Sequence, residues 1–183
     1  MEGYEIKEST RARQVRVTVY PDGKVVVTKP VRMSNAVVEK FVKSKREWIE
    51  ASQARFRKRS GGTPPIKLPK PRKGSYEYTE AVAAARRLAT ERLAHFNKQY
   101  QCTYGTISMR NQKTRWGSCT RQGNLSFNYR IAYLPAELAD YIVVHELCHT
   151  REHNHSKRFW ALVAQALPKH KELRTTLRTQ YLF

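Results

Sequence analysis

Hydrophobic and polar residues alternate in a short N-terminal segment of the chain. Residues 14–20 read QVRVTVY, so their three valines fall on one face, which is the period-two pattern of a half-buried strand. The turn sequence PDG follows at residues 21–23, and the β-branched run KVVVT comes next at residues 24–28. The pattern predicts a β-hairpin in this part of the chain.

The spacing of apolar residues becomes helical after this hairpin. Ser34 suits an N-cap, and apolar side chains then recur at three- and four-residue intervals as far as Ile49. Residues 55–73 break the pattern, because they contain four prolines, two glycines and eight basic residues without an acidic one. We therefore predict an N-terminal hairpin and helix over residues 1–58, followed by a basic loop or linker over residues 59–75.

The remaining residues, 76–183, are predicted to form the core of the protein. Apolar spacing there predicts a long Ala-rich helix, two strands and three further helices, over residues 79–100, 104–110, 125–131 and 136–149, after Ser156 and after Pro168. Short strands beside several helices, without βαβ alternation, indicate an α+β fold.

Composition and charge narrow the classes of function. The 183 residues include 35 Lys and Arg against 15 Asp and Glu, a formal net charge of +20. A field of this sign attracts polyanions such as nucleic acids or nucleotides. No apolar run approaches the roughly 20 residues of a membrane span, and the first residues lack the apolar stretch of a secretory signal. Three cysteines without CxxC spacing do not suggest disulfides, so we expect a cytoplasmic protein without a membrane partner.

One segment carries residues suited to metal chemistry. His145, Glu146 and His149 form an HExxH motif on the helix predicted over residues 136–149. Two histidines four residues apart lie on one face of a helix, and neutral imidazoles are ligands that zinc prefers. The carboxylate of Glu146 can reach a water at the metal without binding the metal itself. The motif therefore predicts a zinc hydrolase with Glu146 as general base.

A catalytic zinc usually has three protein ligands, so this motif needs a third. Nearby side chains that could supply it are those of Glu152, His153, His155 and Glu172. On an unbroken helix His153 would lie about 12 Å along the axis from His145, which is too far. His155 is favoured if the helix ends and the chain turns back, with Asn154 in a left-handed conformation. Glu172, from a later helix, stays open as the alternative.

Several segments around this motif resemble one known family. They are RWGSC at residues 115–119, LSFN at 125–128, YIVVHELCH at 141–149 and NHSKRFW at 154–160. Together they resemble the YgjP-like metallopeptidases, which are related to the SprT-like and WLM zinc proteases. Residues 13–30 and 45–49 are also similar to that family, so the likeness covers most of the chain. Residues 60–75 depart from the family pattern, because they are short and basic.

This resemblance implies a zincin-like core with a small antiparallel sheet, a helix carrying the HExxH motif and C-terminal helices. It also implies that His145, His149 and His155 hold Zn²⁺ and that Glu146 is the general base of peptide-bond hydrolysis. The strand predicted over residues 125–131 could then bind an extended peptide by strand addition.

Three functions are compatible with these residues. The first is a peptidase acting on proteins or peptides, near nucleic acid in view of the charge. The second is a zinc hydrolase of nucleotides or another phosphorylated substrate, and the third is a basic nucleic-acid-binding module whose zinc is structural. For either enzyme, Arg115, Asn128 and Arg130 are candidates for binding the substrate and stabilising an oxyanion.

Overall fold

The computed structural model describes residues 3–59 and 65–182. The helices are α1 (Asn35–Ser44), α2 (Arg46–Arg59), α3 (Tyr76–Tyr100), α4 (Ala136–Cys148), α5 (Lys157–Ala166) and α6 (His170–Gln180), with a 3-10 helix over Tyr129–Tyr133. The strands are β1 (Tyr4–Ser9), β2 (Arg16–Val19), β3 (Val25–Pro30), β4 (Ile66–Lys67), β5 (Ile107–Arg110), β6 (Gly117–Cys119), β7 (Leu125–Asn128) and β8 (Tyr181–Leu182). The predicted α+β class is confirmed.

The chain forms two compact units. The first contains the residues up to Ile66 together with Thr179–Leu182, and the second contains Lys67–Arg178. The boundary falls within the segment predicted as a loop or linker, but the sequence did not predict that the C-terminal residues join the first unit. The short strands β4 and β8 pair with each other.

The first unit is built on a three-stranded sheet in the order β1-β3-β2. β2 and β3 pair antiparallel, which confirms the predicted hairpin, and β3 also pairs in parallel with β1. The side chains of Val25 and Val27 in β3 pack with Val38, Val42 and Ile49 from the two helices. The apolar residues that set the strand and helix periodicities therefore meet in one small core.

The single helix predicted after the hairpin is in fact two helices. The break is at Lys45, whose N–H donates to the carbonyl of Val42. Ser34 stands at the N-cap of α1 as predicted, although its side chain makes no capping hydrogen bond. The second helix continues to Arg59 and so enters the predicted loop, of which residues 60–64 lie outside the described residues.

The second unit contains a three-stranded sheet in the order β5-β7-β6. β7 pairs in parallel with β5 and antiparallel with β6, so the sheet is mixed. The prediction of an antiparallel sheet is therefore wrong for the pairing of β5 with β7. The strand predicted to bind a peptide is this central β7, and both of its edges are already hydrogen-bonded. Strand addition requires an unpaired edge, so that prediction is wrong for β7; β6 is an edge strand of the sheet.

Helix α3 is the scaffold against which the site is built. Ser75 caps its start by accepting a hydrogen bond from the N–H of Tyr78. Along its length, Arg92 donates from Nε and Nη2 to the two carboxylate oxygens of Asp140, the second at 2.6 Å. This bidentate ion pair joins α3 to α4, the helix that carries the HExxH motif. None of the described helices is long and apolar enough to cross a membrane.

Candidate metal centre

The two motif histidines lie at the end of α4. The helix ends at Cys148, and His149 is its C-cap. The chain then turns without a left-handed residue: the N–H groups of Arg151 and Glu152 donate to the carbonyl of Cys148. The predicted left-handed conformation at Asn154 is therefore wrong, since among the described non-glycine residues only Gln101 has a positive φ. The chain reverses here without a residue of positive φ.

This reversal brings a third imidazole back to the first two. Nε2 of His145 is 3.2 Å from Nε2 of His149 and 3.0 Å from Nε2 of His155. Within the described residues, these three side chains form a group that could hold a metal ion, with ligand atoms within 4.8 Å of one another. Zinc–nitrogen bonds of 2.0–2.1 Å in tetrahedral geometry place nitrogens about 3.3 Å apart. The spacing of the three nitrogens fits zinc.

The protonation states of the imidazoles also suit a metal. Nδ1 of His149 lies 2.9 Å from the carbonyl oxygen of Glu152, which can only accept a hydrogen bond. The proton is therefore on Nδ1, and the lone pair of Nε2 is left for the centre. Burial, and then the neighbouring histidines, lower the pKa of His145 to about 3; burial also lowers the pKa of His155. Neutral imidazole is the form that binds zinc.

Phe159 supports all three imidazoles from one side. Its ring is fully buried, stacks on the ring of His149 at 4.4 Å and meets the rings of His145 and His155 edge-on at 4.8 and 4.9 Å. The indole of Trp160 stacks on His155 at 5.5 Å. These two aromatic residues restrict the imidazole rings to orientations that point the three nitrogens at one place.

The turn that carries His155 is fixed by contacts to the scaffold. The guanidinium of Arg151 donates to the carbonyl of Tyr100 at the end of α3. The hydroxyl of Tyr100 donates in turn to the carbonyl of Leu162 in α5, at 2.7 Å. Ser156 caps α5 by accepting a hydrogen bond from the N–H of Phe159. One residue of α3 therefore holds both the turn and the helix that follows it.

Glu146 is buried beside this centre on the same helix. Its side chain packs on Gly117 of β6, where a Cβ atom would lie 2.6 Å from both Cγ and Oε1 of the glutamate. Burial raises the pKa of Glu146 to about 8, and the guanidinium of Arg115 opposes the rise. A side chain at position 117 would collide with the carboxylate, so this position requires glycine. The sequence did not predict this role for Gly117.

A cleft of about 230 Å³ opens next to His145 and Glu146. Its walls come from the start of β6, from α4 and from α6, and are formed by Arg115, Trp116, Gly117, Tyr141, Ile142, His145, Glu146, Arg174, Leu177 and Arg178. A substrate entering this cleft would meet the carboxylate of Glu146 and the first imidazole together. The cleft therefore gives access to one of the three imidazoles and to the carboxylate of Glu146.

The three residues predicted to bind the substrate do not all line the cleft. Arg115 is exposed and lines the cleft. Asn128 and Arg130 are 0% and 1% exposed and do not line it. Asn128 donates from Nδ2 to the carbonyls of Gln112 and Arg115, and Arg130 donates from Nε to the hydroxyl of Tyr129. These contacts favour structural roles for Asn128 and Arg130, and leave Arg115 as a candidate for binding the substrate.

The other residues considered as third ligands lie outside the imidazole group. His153 and Glu172 are exposed, and neither belongs to the group of side chains that could hold a metal. Glu152 contributes its backbone carbonyl to His149, while its carboxylate lies 3.5 Å from the hydroxyl of Ser156. The geometry therefore favours His155.

Comparison with known proteins assigns a family to this arrangement. The model of the YgjP-like metallopeptidase domain matches residues 13–76 and 78–180. The chain belongs to the YgjP-like metallopeptidase family. A metallopeptidase of this family is a hydrolase that uses a metal, typically zinc, and the three imidazoles are where this chain could hold it.

Two solved structures are similar to this YgjP-like metallopeptidase. The metallopeptidase zymogen of Pyrococcus abyssi abylysin is 23% identical, with 52% of this chain and 99% of that chain covered and a TM-score of 0.45. The metallopeptidase zymogen of Methanocaldococcus jannaschii jannalysin is 21% identical, with 51% and 92% covered and a TM-score of 0.41. No curated protein matches significantly.

Loss of the third imidazole should weaken metal binding. We expect His155→Ala to lower zinc affinity at least about 100-fold, because the variant loses one of the three nitrogen donors. The measurement is a competition titration of the purified chain against a zinc chelator. His153→Ala, which removes an exposed histidine outside the group, is the matched control. Equal affinities of the two variants would show that residue 155 is not a ligand.

A methyl group at position 117 should displace the glutamate. We expect Gly117→Ala to lower peptide turnover about 100-fold, because a displacement of about 1 Å in a reacting group costs that much. Zinc content should not change, since the three imidazoles are not contacted. Ser118→Ala alters the neighbouring residue, whose side chain points to the opposite face of the strand, and is the control. Full activity of Gly117→Ala would contradict the packing argument.

Proposed function

We propose that this chain is a zinc-dependent peptidase that hydrolyses peptide bonds with Glu146 as general base. The observation that carries the proposal is the convergence of three imidazole nitrogens beside a buried carboxylate on the same helix. A structural zinc site usually has four protein ligands, whereas catalytic sites keep three and leave one position open. Three donors and an adjacent cleft match the catalytic kind.

The chain's residues divide the reaction between them. His145, His149 and His155 would hold the ion, which when bound lowers the pKa of a coordinated water and polarises the carbonyl under attack. Glu146 accepts a proton from the attacking water on a carboxylate oxygen and then donates it to the nitrogen of the leaving amine. Gly117 leaves room for that carboxylate, and Arg115 helps to keep it ionised.

Removal of the base should abolish turnover without removing the metal. We expect Glu146→Gln to lower peptide hydrolysis about 10²–10⁴-fold, because the amide cannot accept the proton, while zinc content stays at the wild-type level. Glu137→Gln, which alters an exposed acid in the first turn of the same helix, is the control. Full activity of Glu146→Gln would exclude this residue as the base.

A comparison of substrates separates the alternative functions. Wild-type chain is offered an unfolded protein and, in parallel, nucleoside triphosphates. A peptidase cleaves the first and not the second, whereas a phosphohydrolase does the reverse. A structural zinc predicts that neither is turned over and that chelation unfolds the chain.

We further propose that the first unit contacts polyanions through one groove. The groove has a volume of about 620 Å³ and is lined by Arg11, Arg13 and Arg16 together with small or polar residues. All three arginines are exposed, and within the described residues none of them forms an ion pair. Serine at position 9 accepts hydrogen bonds from two N–H groups of the loop and so fixes its shape. Clustered guanidinium groups bind phosphates well.

Neutralising this groove should weaken nucleic-acid binding. We expect the triple variant Arg11→Gln, Arg13→Gln and Arg16→Gln to have a slope of log affinity against log salt concentration that is shallower by about 2. Each lost contact with a phosphate of a single strand reduces this slope by about 0.7. The measurement is fluorescence anisotropy with a labelled single-stranded oligonucleotide. The triple variant Lys40→Gln, Lys43→Gln and Lys45→Gln carries the same charge change elsewhere in the unit. An equal effect of both triple variants would refute a specific groove.

A further inference from the structure

The cleft beside the metal centre has an unusual charge. Three arginines line it, Arg115 from one wall and Arg174 and Arg178 from α6. Among the described residues of its lining, Glu146 is the one acid, and that carboxylate is buried and already has a role as base. The part of the cleft that a substrate can reach is therefore positive.

Helix α6 directs two of these cations to one side. Arg174 and Arg178 are four residues apart and lie one turn apart on the same face, with Leu177 between them. Leu177 is 5% exposed, so it anchors this face of the helix, while both arginines are exposed. A substrate in the cleft would therefore meet two arginine side chains that leave the same face of the helix one turn apart.

Arg174 is held close to the three imidazoles. Its guanidinium carbon lies 4.9 Å from the centre of the Trp160 ring, and that ring stacks on the imidazole of His155. A group paired with Arg174 would therefore lie near the reacting bond.

Among the described residues no carboxylate forms an ion pair with Arg174 or Arg178, whereas Arg115 interacts with the buried Glu146. Like charges one turn apart on a helix destabilise it. An anion placed between them would relieve that repulsion, and a carboxylate is the anion that a peptide offers.

We propose that this cleft selects peptides that place a carboxylate next to the scissile bond, with Arg174 and Arg178 as the residues that recognise it. The inference rests on the proposed peptidase function. The carboxylate is either an Asp or Glu side chain or the C-terminal carboxylate of the peptide. Substrates with Lys or Arg in that place are repelled, which adds to the selectivity.

The experiment uses the zinc-loaded chain and a set of fluorescence-quenched peptides. The peptides differ only in having Glu, Gln or Lys at one position on either side of the scissile bond, and each is made with a free or an amidated C-terminus. We expect kcat/KM to be about tenfold or more higher for Glu than for Gln, as for a hydrogen bond to a charged group. Selection by the side chain and selection by the C-terminus are separated by the amidated peptides.

Reversal of one charge identifies the residue responsible. Arg178→Glu should lower the Glu-to-Lys preference at least about tenfold, mainly through KM, and zinc content should stay unchanged. Arg178→Lys should retain most of the preference, because it keeps the charge. Arg87→Glu makes the same change in charge on an exposed position of α3 outside the cleft and should keep the wild-type preference.

The outcomes separate this inference from the proposed function. Turnover with no preference for a carboxylate, or an equal effect of Arg87→Glu and Arg178→Glu, would overturn the inference while the peptidase function stands. In a parallel anisotropy measurement, the labelled Glu and Lys peptides are bound to wild-type chain and to Arg178→Glu. A preference in binding that Arg178→Glu abolishes, without turnover of any peptide, would support the cleft assignment and refute the peptidase.

Discussion

The candidate site depends on the reversal of the chain between His149 and His155. Two imidazoles on adjacent turns of a helix can share an ion with little strain, but a third can join them only if the helix stops at once. The carbonyl of Glu152 that ends the reversal is also the hydrogen-bond acceptor of His149. The contact of Arg151 with the end of α3 holds the same turn from outside. The same turn therefore ends α4, orients the ring of His149 and brings His155 to the other two imidazoles.

Burial shifts the pKa values of His145 and Glu146 in opposite directions. It lowers the pKa of His145 to about 3 and so favours the neutral ring that a metal requires. It raises the pKa of Glu146 to about 8 and so disfavours the carboxylate that a general base requires. A divalent cation would reconcile the two, because it binds neutral nitrogens and stabilises a nearby negative charge. A cation bound by the three imidazoles would thus favour the ionised form of Glu146 that burial disfavours.

Features with a local cause could be predicted from the sequence, and features that depend on distant pairing could not. The HExxH helix, the helix after Ser156 and the N-terminal hairpin all follow from spacing within a few residues. β6 has three residues, too few to show a strand periodicity, and the parallel pairings of β1 and β5 join strands that are distant along the chain. The space constraint on Gly117 exists only when β6 lies against α4, so only the fold could reveal it.

Asn128 shows how a polar residue can serve a site without touching a substrate. The sequence made Asn128 a candidate for binding the substrate, yet its side chain is fully buried. Its side-chain amide donates to the carbonyls of Gln112 and Arg115, and its backbone N–H donates to the carbonyl of Trp116. Because this segment leads directly into Gly117, these hydrogen bonds fix the wall against which Glu146 packs. A buried amide with all its partners inside the protein stabilises one arrangement of that wall, so the position of Glu146 depends on a residue that lies outside the cleft.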